Sequence, residues 1–420
     1  MITDILYRCP QCAAFDWMDA NATCTGCGAR LELVSRTHVA VGGKVRPIGE
    51  WYDIIQAQDL PSHTDSPILK SKRVLLSEEA VKGRYLGFAG MRATHYARRP
   101  VETGFLTLWR DRLVFAGART QLELPISTII SLTIESDTLI AVVKDRPPLF
   151  FDFQEESGKK WEDCIRKAMA GAHADKIIEF CPRVRFEHEF LKAPRVAKGH
   201  AQLKVPAHRT FKRDFSPLFL ILRRLIKGLV KLLIPVKIEG LENIPAFGPA
   251  IVLPNHCSFL DSVILGIYSK RVIWFMAKNS EFKDPFLKHL LPLAGAFPVR
   301  RYTTDISAVR NAVRVVQEGH VLGIFPEGER CWDNRLLPYK LGTLRLTLAL
   351  GRPVIPVGIS GAYALMPRWT SSIKRVPVTI HIGAPIMLGH VPIPMQTLAD
   401  VEHARDTLRR AMQALIGETS

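Results

Sequence analysis

The chain has 420 residues, 47% of them apolar and 23% charged, which excludes an intrinsically disordered protein and leaves room for two or three domains. Lys and Arg outnumber Asp and Glu by 57 to 40, a net charge of +17, so the partner to expect is anionic, either nucleic acid or the negative face of a membrane. The opening MITDILYRCPQC lacks the basic start and apolar run of a secretory signal. No uninterrupted apolar stretch reaches about 18 residues, so neither export nor a transmembrane helix is expected.

Four of the eight cysteines form two pairs, Cys9-Pro-Gln-Cys12 and Cys24-Thr-Gly-Cys27. Each pair offers two thiolates to one ion, and together they complete a closed tetrahedral site with a structural role and no open position for catalysis. Residues 1–35 therefore resemble a small zinc ribbon, which implies one structural zinc, with iron in a rubredoxin-like site as the alternative. The other four, Cys164, Cys181, Cys257 and Cys331, are scattered, a usage that fits a reducing compartment better than a disulfide framework. The ribbon carries one tryptophan, Trp17, and few basic residues between its knuckles, which argues against nucleic acid as the partner.

Residues 36–69 read as a connector with one helix around Trp51 to Gln58. A β-rich block follows over 70–172. Gly104 to Trp109, Leu113 to Phe115, Gln121 to Leu124, Ile129 to Ile134, Leu139 to Val143 and Leu149 to Phe153 are predicted strands separated by turn formers. Ser157 can cap a closing helix whose Trp161, Ile165 and Met169 share one stripe. Several short strands and one amphipathic helix, with the stretch GFLTLWRDRLVF, resemble a PH/GRAM-like domain. That likeness implies binding to lipid headgroups or proteins, with a purely structural domain as the alternative. Residues 173–210 carry basic groups and prolines without periodicity and read as a linker.

Within 211–235, the stretch LFLILRRLIKGLVKLLI predicts a helix over 218–234. Its Arg223, Arg224, Lys227 and Lys231 fall within an arc roughly 100° wide, and the rest is Leu, Ile, Val and Phe apart from Gly228. Such a helix suits the plane of an anionic bilayer. The alternative is an apolar face covering the next domain, with solvated charges.

From 236 to 420 the pattern changes. Ala250 to Leu253 reads as a buried strand stopped by Pro254 and Asn255, with a helical pattern from near Phe259. His256 then sits on a strand-to-helix turn, and Asp261 in the first helical turn can fold back towards the ring, an arrangement suited to a general base. Alternatively, Ser258-Phe-Leu-Asp261 is an S-x-x-D capping box, and Asp261 only starts the helix. Val321 to Phe325 and Pro353 to Ile359 are further buried strands, with helices of about 12 residues between. This alternation predicts an α/β domain with a mostly parallel sheet flanked by helices, its site in the loops beyond the strand ends.

Four blocks in order, NHCSFLD, GAFPVRR, FPEGER and VIPVGI, are similar to those of the glycerolipid acyltransferases, a family that includes the 1-acylglycerol-3-phosphate acyltransferases. The resemblance covers about 235–390. It implies transfer of a fatty acyl group from acyl-CoA or acyl carrier protein to the hydroxyl of a lysophospholipid, above all 1-acylglycerol-3-phosphate, giving phosphatidate. His256 is implied as the general base, Asp261 as the group that holds the ring, and Arg301 as a phosphate clamp. Glu327, Gly328 and Arg330 are implied in binding the acceptor. No cofactor is implied for catalysis. Arg300 competes with Arg301 for the clamp, one of the two being expected as a solvated charge. Pro356 is expected to shape a turn, and Lys340 is a further candidate phosphate contact. The third block departs from the family's usual F-P-E-G-T-R-S at Glu329, whose charge would repel a phosphate unless it faces away or pairs with Arg330. The expectation is thus a cytoplasmic enzyme bound peripherally to the inner face of an anionic membrane. The alternatives are a different lysolipid acceptor, or a non-catalytic lipid-binding scaffold.

Overall fold

The apolar run Ala250–Pro254 is buried at every position, and its side chains divide between two cores. Ala250 and Val252 point one way, while Ile251 and Leu253 point the other, the signature of a strand covered on both faces. This is the central strand, β12, of a sheet seen in a computed structural model that describes residues 2–61, 66–86, 92–135, 137–172, 217–283, 291, 295–303 and 305–417.

The sheet has seven strands: β11 (Val236–Glu239), β12, β13 (Ile273–Lys278), β14 (Ala296–Val299), β15 (Val321–Gly323), β16 (Val354–Ser360) and β17 (Val378–Ile382). Their order is β11-β17-β16-β12-β15-β13-β14. Five of the pairings are parallel, and only β16 with β17 is antiparallel. The sheet is therefore mostly parallel, as the alternating pattern predicts. The core under Ile251 and Leu253 is closed by residues Ala312, Val315, Leu344 and Leu408 of helices Ile306–Gln317, Leu341–Leu350 and Leu398–Ile416. The carboxyl ends of β12, β13, β14, β15 and β16 all lie on one edge, because those strands run the same way.

The β-rich block forms a second seven-stranded sheet, wholly antiparallel, in the order β7-β6-β5-β4-β10-β9-β8. Its strands are β4 (Leu69–Leu86), β5 (Arg92–Leu108), β6 (Arg112–Gly117), β7 (Gln121–Pro125), β8 (Ile129–Glu135), β9 (Thr138–Val143) and β10 (Leu149–Phe153). Helix Gly158–Ala172 closes it with Trp161, Ile165 and Met169 buried, and Ser157 Oγ accepts from Lys160 N at 3.4 Å as its cap. Before it, β1 (Leu31–Leu33), β2 (His38–Val41) and β3 (Lys44–Pro47) form a small antiparallel sheet followed by helix Ile48–Ala57. This N-terminal part is docked on the rest. The buried Lys160 holds Asp16 at 2.9 Å, and Arg335 holds Asp53 at 2.6 Å.

Three expectations are corrected. The sequence reading did not anticipate β4, the first twelve residues of β5, or β1 to β3. Pro356 does not shape a turn. It lies within β16, opposite Leu253, and its carbonyl accepts from Gly383 N just past the end of β17, so the missing N–H points where the ladder has already ended. Third, neither Arg300 nor Arg301 is a solvated charge. Their side chains are only 14% and 21% exposed, because the antiparallel sheet covers them. The predicted linker 173–210, with Cys181, lies outside the described residues.

Candidate active site

His256 lies two residues beyond β12, on the turn into helix Asp261–Tyr268. Its Nδ1 is 2.9 Å from Asp261 Oδ2, and the same oxygen accepts from Cys257 N at 2.7 Å and Ser258 N at 2.8 Å. The geometry is compatible with both readings of this carboxylate. The carboxylate caps the turn, and it takes the ring's Nδ1–H, which leaves Nε2 as the basic nitrogen. Asp261 is fully buried, whereas the imidazole keeps 18% exposure, so the pair has a covered side and an open side. Burial holds the His256 pKa below the ordinary histidine value. Asp261 opposes that shift, and Arg330 and Arg301 add to it. That direction favours the neutral ring, the state a general base needs.

The third block comes off β15 and wraps the histidine. The Phe325 ring stacks on His256 at 3.9 Å between centroids. Glu327 is buried, and both carboxylate oxygens face the backbone: Oε1 accepts from His256 N and Oε2 from Leu337 N, each at 2.9 Å. Where the resemblance implies a contact with the acceptor, the geometry shows a brace that fixes the peptide of His256. Burial pushes the Glu327 carboxyl up to about 8, against the pull of the N–H groups of Leu337 and His256. Cys331 N donates to His256 O at 2.7 Å and closes the wrap. Gly328 has φ 72°, which strains any side chain there, and a Cβ would meet Lys340 Cγ at 3.0 Å and need that stem to shift. The Lys340 stem therefore packs on the glycine.

Glu329 does not pair with Arg330. It meets Arg368 at 2.6 Å, and that guanidinium stacks over Trp332 at 3.6 Å and donates to Ile134 O at 3.2 Å. Burial would raise the Glu329 carboxyl, but Arg368 and nearby lysines outweigh it and leave the pKa below the usual value. The charge that departs from the common motif is thus neutralised inside the protein. Arg330 O accepts from Arg368 at 3.1 Å, but the Arg330 guanidinium makes no hydrogen bond or ion pair among the described residues, and burial lowers its pKa first of all.

The second block ends β14. Arg300 holds Glu79 at 3.0 Å and lies over the Tyr96 ring at 3.7 Å. Arg301 donates to Gly328 O at 2.5 Å and reaches Glu135 at 3.4 Å. The structure thus brings His256, Asp261, Arg301, Glu327, Gly328 and Arg330 together on one sheet edge. Sequence reasoning missed Arg368, Lys278, Glu79 and Glu135, which join the edge only through tertiary contact. Lys278 alone carried a sequence signal, as a cation ending an apolar strand.

Away from this edge, the sulfurs of Cys9, Cys12, Cys24 and Cys27 lie within 4.8 Å of one another, with Cys9 to Cys27 at 3.7 Å and Cys12 to Cys24 at 3.6 Å. Four thiolates about 2.3 Å from a tetrahedral ion stand about 3.8 Å apart, so the four residues fit a zinc. Trp17 is buried beside them and donates to Leu6 O at 2.8 Å, a core role rather than a nucleic-acid one.

The basic helix spans Pro217–Leu233. Its four cations divide. Arg223 donates to Ile267 O and Ser269 O at the end of helix Asp261–Tyr268, and Lys227 lies 4.8 Å from the Tyr268 ring. Arg223 is half-buried, and Arg224, Lys227 and Lys231 stand exposed. Between them and the protein-facing side runs an exposed apolar stripe, Ile221, Leu225, Leu229, Leu232 and Leu233, with Leu225 66% exposed. No helix among the described residues is long and apolar enough to cross a membrane.

Residues 235–360 match the family model described as Acyltransferase. A protein named 1-acyl-sn-glycerol-3-phosphate acyltransferase from Limnanthes douglasii is 32% identical over 165 residues, 36% of this chain and 55% of that one. Another of the same name, from Bacillus subtilis (strain 168), is 28% identical over 127 residues, 30% of this chain and 63% of its own length. The crystal structure of the 1-acyl-sn-glycerophosphate (LPA) acyltransferase PlsC from Thermotoga maritima is similar with 24% identity and a TM-score of 0.39, over 47% of this chain and 80% of that chain. The chain thus spans about half the length of the curated relatives it matches first.

Proposed function

We propose that the chain is an O-acyltransferase that moves a fatty acyl group from a thioester, acyl-CoA or acyl carrier protein, to the free hydroxyl of 1-acylglycerol-3-phosphate, giving phosphatidate. The observation that carries this reading is the His256–Asp261 pair at 2.9 Å, with its ring partly open. Arg301 and Arg330 lie close enough to depress the histidine's pKa. The names of the relatives support the same substrate class. The ion pair of Glu329 with Arg368 favours a phosphate-bearing acceptor over the alternatives, because it neutralises the third-block charge that would oppose a phosphate.

In this mechanism His256 Nε2 takes the acceptor's hydroxyl proton as its oxygen attacks the thioester carbonyl. The C–O bond forms, the C–S bond breaks, and the proton passes from Nε2 to the departing thiolate. Asp261 stabilises the imidazolium between the two transfers. Glu327 is a positioning residue, and Arg301 and Arg330 receive the phosphate. Zinc at Cys9, Cys12, Cys24 and Cys27 serves the fold of the N-terminal ribbon. The antiparallel sheet is read as a PH/GRAM-like module. Helix Pro217–Leu233 lays its apolar stripe into the surface of an anionic membrane, with Arg224 and Lys231 at the phosphates, which brings the site to lipid substrates at the inner face.

The test is purified full-length chain with lysophosphatidate and labelled acyl-CoA. Labelled phosphatidate is expected, and His256→Ala is expected to lower its formation by about 10² to 10⁴, the usual worth of a general base. No product from any lysolipid, or an undiminished rate in His256→Ala, overturns the reading.

A further inference from the structure

Lys278 ends β13 in register with Val299, the last residue of β14, and Arg301 follows two residues beyond that strand; both cations reach one carboxylate. Between them sits the buried carboxylate of Glu135, which comes from the other sheet, at the end of β8. It reaches Lys278 Nζ at 3.2 Å, Arg301 at 3.4 Å and Arg98 at 3.7 Å. All three contacts are longer than the roughly 2.7–2.9 Å of a well-made charge-assisted bond. The seat also has donors that the carboxylate does not use. Arg301 Nε and Ser280 Oγ are both buried with no hydrogen-bond partner among the described residues, and Ser280 lines the same cleft as Glu135. Three cations already share this carboxylate, and an idle guanidinium N–H and an idle hydroxyl bring the groups to five, more than its roughly four lone-pair sites. A phosphate monoester, with three free oxygens and more charge, matches them better.

We propose that Glu135 is an internal stand-in for the acceptor's phosphate, so that the antiparallel sheet keeps the headgroup seat of Lys278, Arg301 and Ser280 closed until a phosphate monoester displaces the carboxylate. This rests on the reading of Arg301 as a phosphate contact. Glu79 repeats the device one step away, where it holds Arg300 at 3.0 Å and accepts from Tyr302 Oη at 2.5 Å. The sheet thus places a carboxylate on each arginine of the second block. Exchange of Glu135 for phosphate makes and breaks only ion pairs and hydrogen bonds. The released carboxylate keeps Arg98, which is already shared with Asp152 at 3.4 Å.

The experiment compares wild type, Glu135→Gln and Arg301→Gln, each checked for an unchanged cooperative melt. It reads the KM for lysophosphatidate, the KM for acyl-CoA and competitive inhibition by inorganic phosphate. Glu135→Gln keeps the shape and removes the competing charge. It is expected to lower the KM for lysophosphatidate by about fivefold to twentyfold, a typical size for coupling between sites, and to leave the KM for acyl-CoA in place. Tighter inhibition by inorganic phosphate in the same variant identifies a seat for any phosphate monoester. Tightening for lysophosphatidate alone identifies a seat read only within the lipid. No change, or a higher KM for lysophosphatidate, overturns the proposal. Arg301→Gln separates the two levels: if it leaves phosphate inhibition and the lysophosphatidate KM unaltered, the phosphate reading of Arg301 itself fails. If Glu135→Gln does not fold, hydrogen exchange over residues 129–143 of the wild type decides. Exchange there is expected to rise with saturating lysophosphatidate and not with acyl-CoA, and an unchanged rate overturns the proposal.

Discussion

Asp261→Asn separates charge from geometry at the centre of the site. Asp261 Oδ2 takes three donors, His256 Nδ1, Cys257 N and Ser258 N, while Oδ1 has no partner among the described residues. An amide with its oxygen in the Oδ2 position keeps all three bonds, so the turn and the tautomer of the ring survive. What is lost is the negative charge beneath the imidazolium that forms during the reaction. A hydrogen bond to a charged group contributes about 1.5–3 kcal/mol, against about 1 for a neutral one. The neutral bond is retained, so the loss is the difference, about 0.5–2 kcal/mol, and the rate of acyl transfer should fall by about twofold to thirtyfold, less than in His256→Ala. The pH profile of kcat/KM carries a second signature. Activity needs the neutral ring, so it rises as pH climbs through the histidine pKa. Burial already sets that pKa below the ordinary value, and Asp261 is the group that holds it up. In Asp261→Asn the rise must move to lower pH while the plateau drops. A wild-type plateau with an unmoved profile would refute the base assignment. A loss as deep as that of His256→Ala, with a broken melt, would reduce Asp261 to a helix-start residue.

Arg368→Ala should cost about 3–5 kcal/mol in denaturant unfolding, because it leaves the Glu329 carboxylate buried without its partner at 2.6 Å. Adding Glu329→Gln should restore most of that loss, and a single-variant cost below about 1 kcal/mol would show that the pair is solvated. The double change Leu225→Asp and Leu229→Asp should weaken binding to anionic vesicles at least tenfold, in a sedimentation assay, with an unaltered melt. Each leucine forfeits up to about 1.5–3 kcal/mol of apolar burial in the bilayer surface. A strong chelator should release one metal ion per chain and raise hydrogen exchange over residues 5–31 before any other region, since the four thiolates there have no other cross-link. Unchanged exchange after metal loss would remove its structural role.

What could be read from the sequence was local. His256 and Asp261 are five residues apart, and the FPEG turn is contiguous, so strand ends and turn chemistry were enough to place them. Glu135 acts on Arg301 across 166 residues, and Glu79 acts on Arg300 across 221. No periodicity links such pairs, because their meeting depends on how two sheets dock. Strand β4 was hidden for a different reason. Its pairing with β5 shifts register between Lys70 and Arg73, between Leu76 and Ser77, and between Val81 and Gly83. Each shift breaks the two-residue alternation that marks a strand. The basic helix shows the limit of a helical wheel. The wheel correctly gathers Arg223, Arg224, Lys227 and Lys231 on one arc, but it cannot say which arc meets protein. In the structure Arg223 and Lys227 are taken up at the end of helix Asp261–Tyr268, the same helix whose first residue orients the histidine. The helix with the exposed apolar stripe is therefore braced directly against the helix whose first residue bonds His256, while Arg224, Lys227 and Lys231 stay exposed.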